Sequence, residues 1–171
     1  MTYTKFKNDL NTGNEGEWNV ANFLMKEYGV YNVEFNDDYR WDISATSLAT
    51  KNNTYFEVKT DVYERDTGNM AIEIRYRGNP SGISHTLANY FIYYYKNTGQ
   101  LYMIRCEDLR QLIKQNIKEL KVVMGGDDNQ SELVLLDRRE YGDHFQMFYH
   151  TYEQKGKECD SNEEGQEDVP F

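Results

Sequence analysis

Cysteine and proline are both scarce, with two of each in 171 residues. Cys106 and Cys159 allow at most one bridge, which excludes a disulfide-stapled scaffold. The start Met1-Thr2-Tyr3-Thr4-Lys5-Phe6-Lys7 leads into no apolar signal-peptide core, so a reducing, cytoplasmic compartment is expected. Pro80 is the only proline before residue 151, and no glycine-serine linker or internal repeat breaks the chain there. One continuous domain over residues 1–150 is therefore expected. Long apolar runs are missing too: no window approaches the ~18 consecutive apolar residues of a membrane helix, which excludes a membrane-spanning role. Bases are also in deficit, with 19 Lys and Arg against 29 Asp and Glu for a net charge of -10. Overall charge thus gives no attraction to nucleic acid, and any such contact must come from a local site.

Part of that acidity sits at the end. Residues 151–171 carry Glu153, Glu158, Asp160, Glu163, Glu164, Glu167 and Asp168 against Lys155 and Lys157. Such a segment buries too little apolar surface to offset its ordering entropy and reads as a flexible acidic tail.

What is present within the body is patterned. Val20, Ala21, Leu24 and Tyr28 recur at helical spacing from Glu17 to Tyr28, with Asn14 as the cap and Gly29 just past the end. Three alternating segments follow, around Tyr39 to Ala45, Tyr55 to Val62 and Met70 to Arg77. Turn-rich connections between them predict an antiparallel meander. A short helix is expected from about Ser84 to Asn89. Tyr90 to Tyr95 is apolar on both faces and reads as a central strand, with a partner at Leu101 to Ile104. Leu109, Leu112, Ile113, Ile117 and Leu120 mark a second helix, and short strands near Val122–Met124 and Leu133–Leu136 close the body. The fold class expected is α/β, a mixed sheet flanked by helices on both sides.

The polar face of the expected meander gathers Asp42, Glu57, Lys59, Glu73, Arg75 and Arg77. Such a face is often merely solvated. Here two carboxylates fall on neighbouring strands, and Lys59 shares the face of Glu57 because side chains alternate along a strand. Paired carboxylates suit a hard cation such as Mg²⁺, and the lysine could hold or deprotonate a water and offset charge on a phosphate. An acid two residues before a lysine occurs three times, at Glu57/Lys59, Glu119/Lys121 and Glu153/Lys155. Only the first lies mid-strand with an Asp-apolar step, Asp42-Ile43, in the strand before it. Glu17 shares the helix face of Val20, Ala21 and Leu24; it is either a first-turn acid complementing the helix dipole or a carboxylate reaching the metal site.

Glu17 in the first helix, Asp42 at a strand and Glu57-Val58-Lys59 in the next resemble the PD-(D/E)XK nuclease superfamily, whose restriction-endonuclease-like fold includes Holliday-junction resolvases. The resemblance covers roughly residues 13 to 105. Gly13-Asn14-Glu15-Gly16-Glu17 is similar to the first-helix motif of resolvase-like members, and Glu57-Val58-Lys59-Thr60-Asp61 to their core strand. Thr67-Gly68-Asn69 to Glu73, and Ser81-Gly82-Ile83-Ser84 to Asn89-Tyr90, are similar to small phage and bacterial proteins of the group. Trp41 stands where the superfamily's name places proline. The resemblance implies a Mg²⁺- or Mn²⁺-dependent DNA endonuclease, junction-resolvase-like, working as a homodimer in a bacterial or phage-infected cell. It implies Asp42, Glu57 and the Val58 carbonyl as metal ligands, Lys59 as the residue positioning water, and Glu17 as support for the metal's water shell.

Other candidates are secondary. Ser81, Gly82, Ser84, His85 and Thr86 surround a loop entering the expected short helix, either as a phosphate site or as an ordinary N-cap by Ser84. Arg65, Arg75 and Arg77 either contact a DNA backbone or balance Glu73. His85, His144 and His150 lack zinc-ligand spacing with the cysteines. Two rival functions stand beside the nuclease: a nuclease-like fold without turnover that binds nucleic acid or protein, and an acidic DNA mimic.

Overall fold

The computed structural model describes residues 3–36, 40–62, 67–126 and 128–150, with side chains described from Glu15 onward. Arg65 and the 151–171 tail lie outside the described residues. Helix α1 (Tyr3–Glu27) is followed by β1 (Val30–Phe35), β2 (Ile43–Ser47), β3 (Asn53–Asp61), β4 (Asn69–Tyr76) and β5 (Asn79–Pro80). A 3-10 turn (Gly82–Ser84) leads to β6 (Tyr90–Tyr95) and β7 (Gln100–Arg105). Then come α2 (Cys106–Asn116), β8 (Lys121–Gly125), β9 (Ser131–Asp137), the single turn α3 (Arg138–Tyr141) and β10 (Gln146–Tyr149).

These strands form a mixed six-stranded sheet in the order β1-β2-β3-β6-β7-β10 and a four-stranded sheet in the order β5-β4-β9-β8. The mixed α/β class is as expected, but the second sheet is not. β1, β2 and β3 form the antiparallel meander, one strand earlier than the alternation implied. β3 then pairs with β6 in parallel, Glu57 opposite Phe91 and Lys59 opposite Tyr93. Parallel neighbours need a crossover of a dozen or more residues, and this one carries β4 away from the meander to pair with β9. Helices do lie on both faces of the large sheet, but α2 shares its face with the four-stranded sheet.

Alternation divides the core. Phe91, Tyr93 and Tyr95 pack with Met70, Ile72, Val134, Leu136 and the α2 residues Leu109, Leu112 and Ile113. Ile92 and Tyr94 face the other way, against Val20, Ala21, Phe23 and Leu24 of α1. Full burial of side chains such as Phe23 and Leu24 stabilises by roughly 1.5–3 kcal/mol each, so α1 is fixed by its C-terminal half. It is longer than expected, and Asn14 lies inside it instead of capping it. Gly29 ends it with φ +74°, the left-handed conformation that glycine adopts without penalty. Gly16 allows the closest approach to the sheet, since a Cβ there would stand 1.8 Å from Oγ1 of Thr60 on β3.

Candidate active site

The β2–β3 ladder ends at the pair Ile43 and Phe56, with the Asp42 N–H donating to the Phe56 carbonyl at 3.0 Å. Beyond that point the Asp42 side chain replaces the missing strand. Its Oδ2 accepts the Val58 N–H at 2.7 Å. The N–H and C=O of one strand residue project to the same edge, so the Val58 carbonyl faces the edge that Asp42 occupies. Glu57 leaves the sheet on the face it shares with Tyr55 and Lys59. Tyr55 packs toward the four-stranded sheet, with its ring 4.2 Å from that of Trp41. Glu57 is half-buried there, and Lys59 is exposed at the rim.

Segment 81–89 covers Glu57 from above. Arg110 of α2 donates to the carbonyls of Ile83 at 2.8 Å and Thr86 at 2.5 Å. The Arg40 carbonyl accepts from the Thr86 hydroxyl at 2.9 Å and the Leu87 N–H at 2.8 Å. Asn89 exchanges two bonds with the Tyr55 backbone. So held, the Thr86 hydroxyl also contacts Glu57, and the Arg40 carbonyl competes for its one proton. Glu73 of β4 braces the start of the segment, accepting from Ser81 Oγ and Ser131 Oγ at 2.6 Å each. Thr86, expected from the sequence to offer its hydroxyl to a phosphate, instead turns it to the Arg40 carbonyl and Glu57, a partnership that no local pattern carries.

Burial pushes the Glu57 carboxyl up to about 7, and the charge of Asp42 adds to the effect. The Thr86 contact opposes it, while Glu73 and Glu17 push further upward. Asp42 is held above the usual carboxylate range, again chiefly by burial, against the Val58 bond and the nearby Lys59 cation. Asp42 and Glu57 therefore oppose each other at this edge, with Glu73 and Glu17 adding weaker, more distant negative charge to Glu57. Charges so arranged take up either a proton or a cation. Glu17 acts on Glu57 through its charge, and with α1 starting at Tyr3 it is no first-turn acid.

The remaining candidates are not gathered with it. Arg75 bonds Glu132 at 2.9 Å and Arg77 bonds Gln130 at 2.5 Å, both across to the β9 side of the four-stranded sheet. The expected helix at Ser84 is a three-residue 3-10 turn. The amides of Ser84 and His85 donate within it, to Ser81 and Gly82, so they offer no helix N-terminus to a phosphate. Glycine at 82 lets this turn press on β4, because a Cβ there would lie 2.6 Å from the Glu73 carbonyl.

A hard cation suits the donors present: two half-buried carboxylates in mutual repulsion beside a backbone carbonyl. Among the described residues no group of three or more His, Cys, Asp or Glu side chains forms a ready-made metal cage. A Mg²⁺ site with two carboxylates would be completed by a carbonyl and waters. Comparison of the chain with known families, with curated proteins and with solved structures returns no match. Among the described residues no helix is long and apolar enough to cross a membrane.

Proposed function

We propose that this chain is a metal-dependent nuclease of the PD-(D/E)XK type, hydrolysing phosphodiester bonds in DNA. The observation that carries the reading is the convergence of Asp42 and Glu57 at the edge where β2 leaves β3, with Lys59 two residues on along the same strand. Asp42, Glu57 and the Val58 carbonyl would hold Mg²⁺ or Mn²⁺, which supplies a Lewis acid for the phosphate and a more acidic water. Asp42 has one oxygen fixed by Val58, so its carboxylate is oriented before any ligand arrives. Lys59 supplies the cation of the site; it orients the attacking water and offsets charge developing on the phosphate. Glu17 and Glu73 add negative charge to Glu57, and Thr86 hydrogen-bonds its carboxyl. Cutting both strands of a duplex takes two such sites, and the reading includes a homodimer for that reason.

The test is incubation of the full chain with supercoiled, linear, single-stranded and four-way-junction DNA in Mg²⁺, Mn²⁺ or EDTA. Metal-dependent cleavage that disappears in Asp42→Asn and Glu57→Gln is expected. A second reading, a nuclease-like fold that binds nucleic acid without turnover, is favoured by the lack of a third clustered ligand side chain among the described residues. Binding of DNA with no cleavage under any metal would select it.

A further inference from the structure

We propose that the exposed aromatic pair Trp18 and Phe35 is a stacking site for an unpaired nucleotide, which directs the cleft to single-stranded or branched nucleic acid instead of closed duplex. The inference rests on the nuclease reading and names the substrate class for that site. Trp18 is 57% exposed and Phe35 40%, with ring centroids 5.0 Å apart and planes tilted by 40°. Two large rings held together in water form a fixed apolar surface.

Position gives the pair its meaning. Trp18 follows Glu17, which acts on Glu57. Phe35 ends β1 opposite Ile43, the residue after Asp42, and the next N–H along, that of Asn36, donates to the Asp42 carbonyl at 2.8 Å. The pair therefore lies on the α1 face of the sheet, beside the start of β2 and next to Asp42. A strand entering this site meets the carboxylates of Asp42 and Glu57, and Arg75 and Arg77, two of the arginines expected to grip it, are engaged with Glu132 and Gln130. Contact by ring stacking needs no cation and tolerates any base. It does need an open base face, which a base inside a duplex stack does not offer.

The experiment uses the full chain with fluorescein-labelled oligo-dT and with a blunt hairpin duplex, in Ca²⁺ and in EDTA, followed by anisotropy. Oligo-dT is expected to bind more tightly than the duplex. Trp18→Ala should weaken oligo-dT binding by roughly 10-fold, the scale of one base–aromatic stack, while Trp18→Phe retains most of it. In Trp41→Phe protein the remaining tryptophan is Trp18, whose emission oligo-dT should quench; this reads the contact with the ring in place. Duplex preference, unquenched Trp18 emission, unchanged binding by Trp18→Ala, or a self-associated chain that Trp18→Ala dissociates would each overturn the proposal. Cleavage is scored separately. Metal-dependent cleavage with no role for Trp18 removes this inference and leaves the nuclease. Trp18-dependent binding without cleavage removes the nuclease and leaves the stacking site.

Discussion

The Asp42 carboxylate accepts the Val58 N–H at 2.7 Å, so the acid assigned to the metal also closes the sheet edge where β2 stops. Its structural and chemical roles separate by choice of substitution. Asp42→Asn keeps an oxygen that can accept this bond and should unfold near the wild-type midpoint. Asp42→Ala leaves the Val58 N–H unsatisfied and should cost about 1–3 kcal/mol in urea unfolding. Both should lose cleavage. An Asn variant that cuts at the wild-type rate would remove Asp42 from the site.

Glu57 yields a prediction of opposite sign for stability. Its folded carboxyl lies at about 7, above the ordinary value of 4.5, so the folded chain holds a proton that the unfolded chain has released. Stability of the metal-free protein should be fully present below pH 4.5 and fall as pH rises through 7, by about 3 kcal/mol from this group. Glu57→Gln should flatten that slope and stabilise the metal-free chain at pH 8 while abolishing cleavage. Added Mn²⁺ should raise the wild-type melting temperature more at pH 8 than at pH 5.5, since metal and proton compete for the same oxygens. A metal response independent of pH would count against Glu57 as a ligand.

The residues that became the candidate site were legible because their pattern is local: an Asp before one strand, and Glu and Lys two apart in the next. The buried run Tyr93, Tyr94, Tyr95 was equally plain, since a strand apolar on both faces must be covered twice. What the sequence concealed was partnership. Met70 to Tyr76 alternates as any half-buried strand does, and nothing in that alternation says its neighbour is β9, some sixty residues on, and not β3. Glu73 was thus assigned to the correct neighbourhood through an incorrect sheet. β1 went unread because Asn32, with φ +49°, interrupts the alternation at the irregular register between Tyr31 and Glu34. The Ser84 helix was overpredicted because an N-cap residue type says nothing about whether the turn continues.

Lys59 is exposed and borders the cluster without packing into a core. Lys59→Ala should change unfolding free energy by no more than about 0.5 kcal/mol, the usual range for surface substitutions. Its cleavage rate should nevertheless fall at least 100-fold, the low end of what a positioned proton-transfer or charge-stabilising group contributes. Binding of metal, followed by calorimetry, should persist. A variant that retains cleavage would make Lys59 an ordinary rim residue.

Gly16 offers a test of whether the placement of α1 governs the site through Glu17. A Cβ at position 16 would lie 1.8 Å from Oγ1, 2.7 Å from Cβ and 2.8 Å from Cγ2 of Thr60. Alanine favours a helix over glycine by about 1 kcal/mol, whereas overpacking a tight contact costs typically 1–3 kcal/mol. Because the obstructing atoms include a Cβ bonded to the backbone of a central strand, the clash should win and Gly16→Ala should be destabilised. The helix can relieve it only by backing away from β3, which withdraws Glu17 from Glu57. Cleavage should therefore fall further in Gly16→Ala than in a control of equal stability loss on the distal sheet, such as Val134→Ala. Thr60→Gly removes all three obstructing atoms, so the double variant should recover stability relative to the sum of the single effects, a favourable coupling of about 1 kcal/mol or more. It should regain cleavage with it. Strictly additive energies would show that α1 already tolerates the extra methyl, and restored stability without restored cleavage would show that Glu17 is not held in place by this contact.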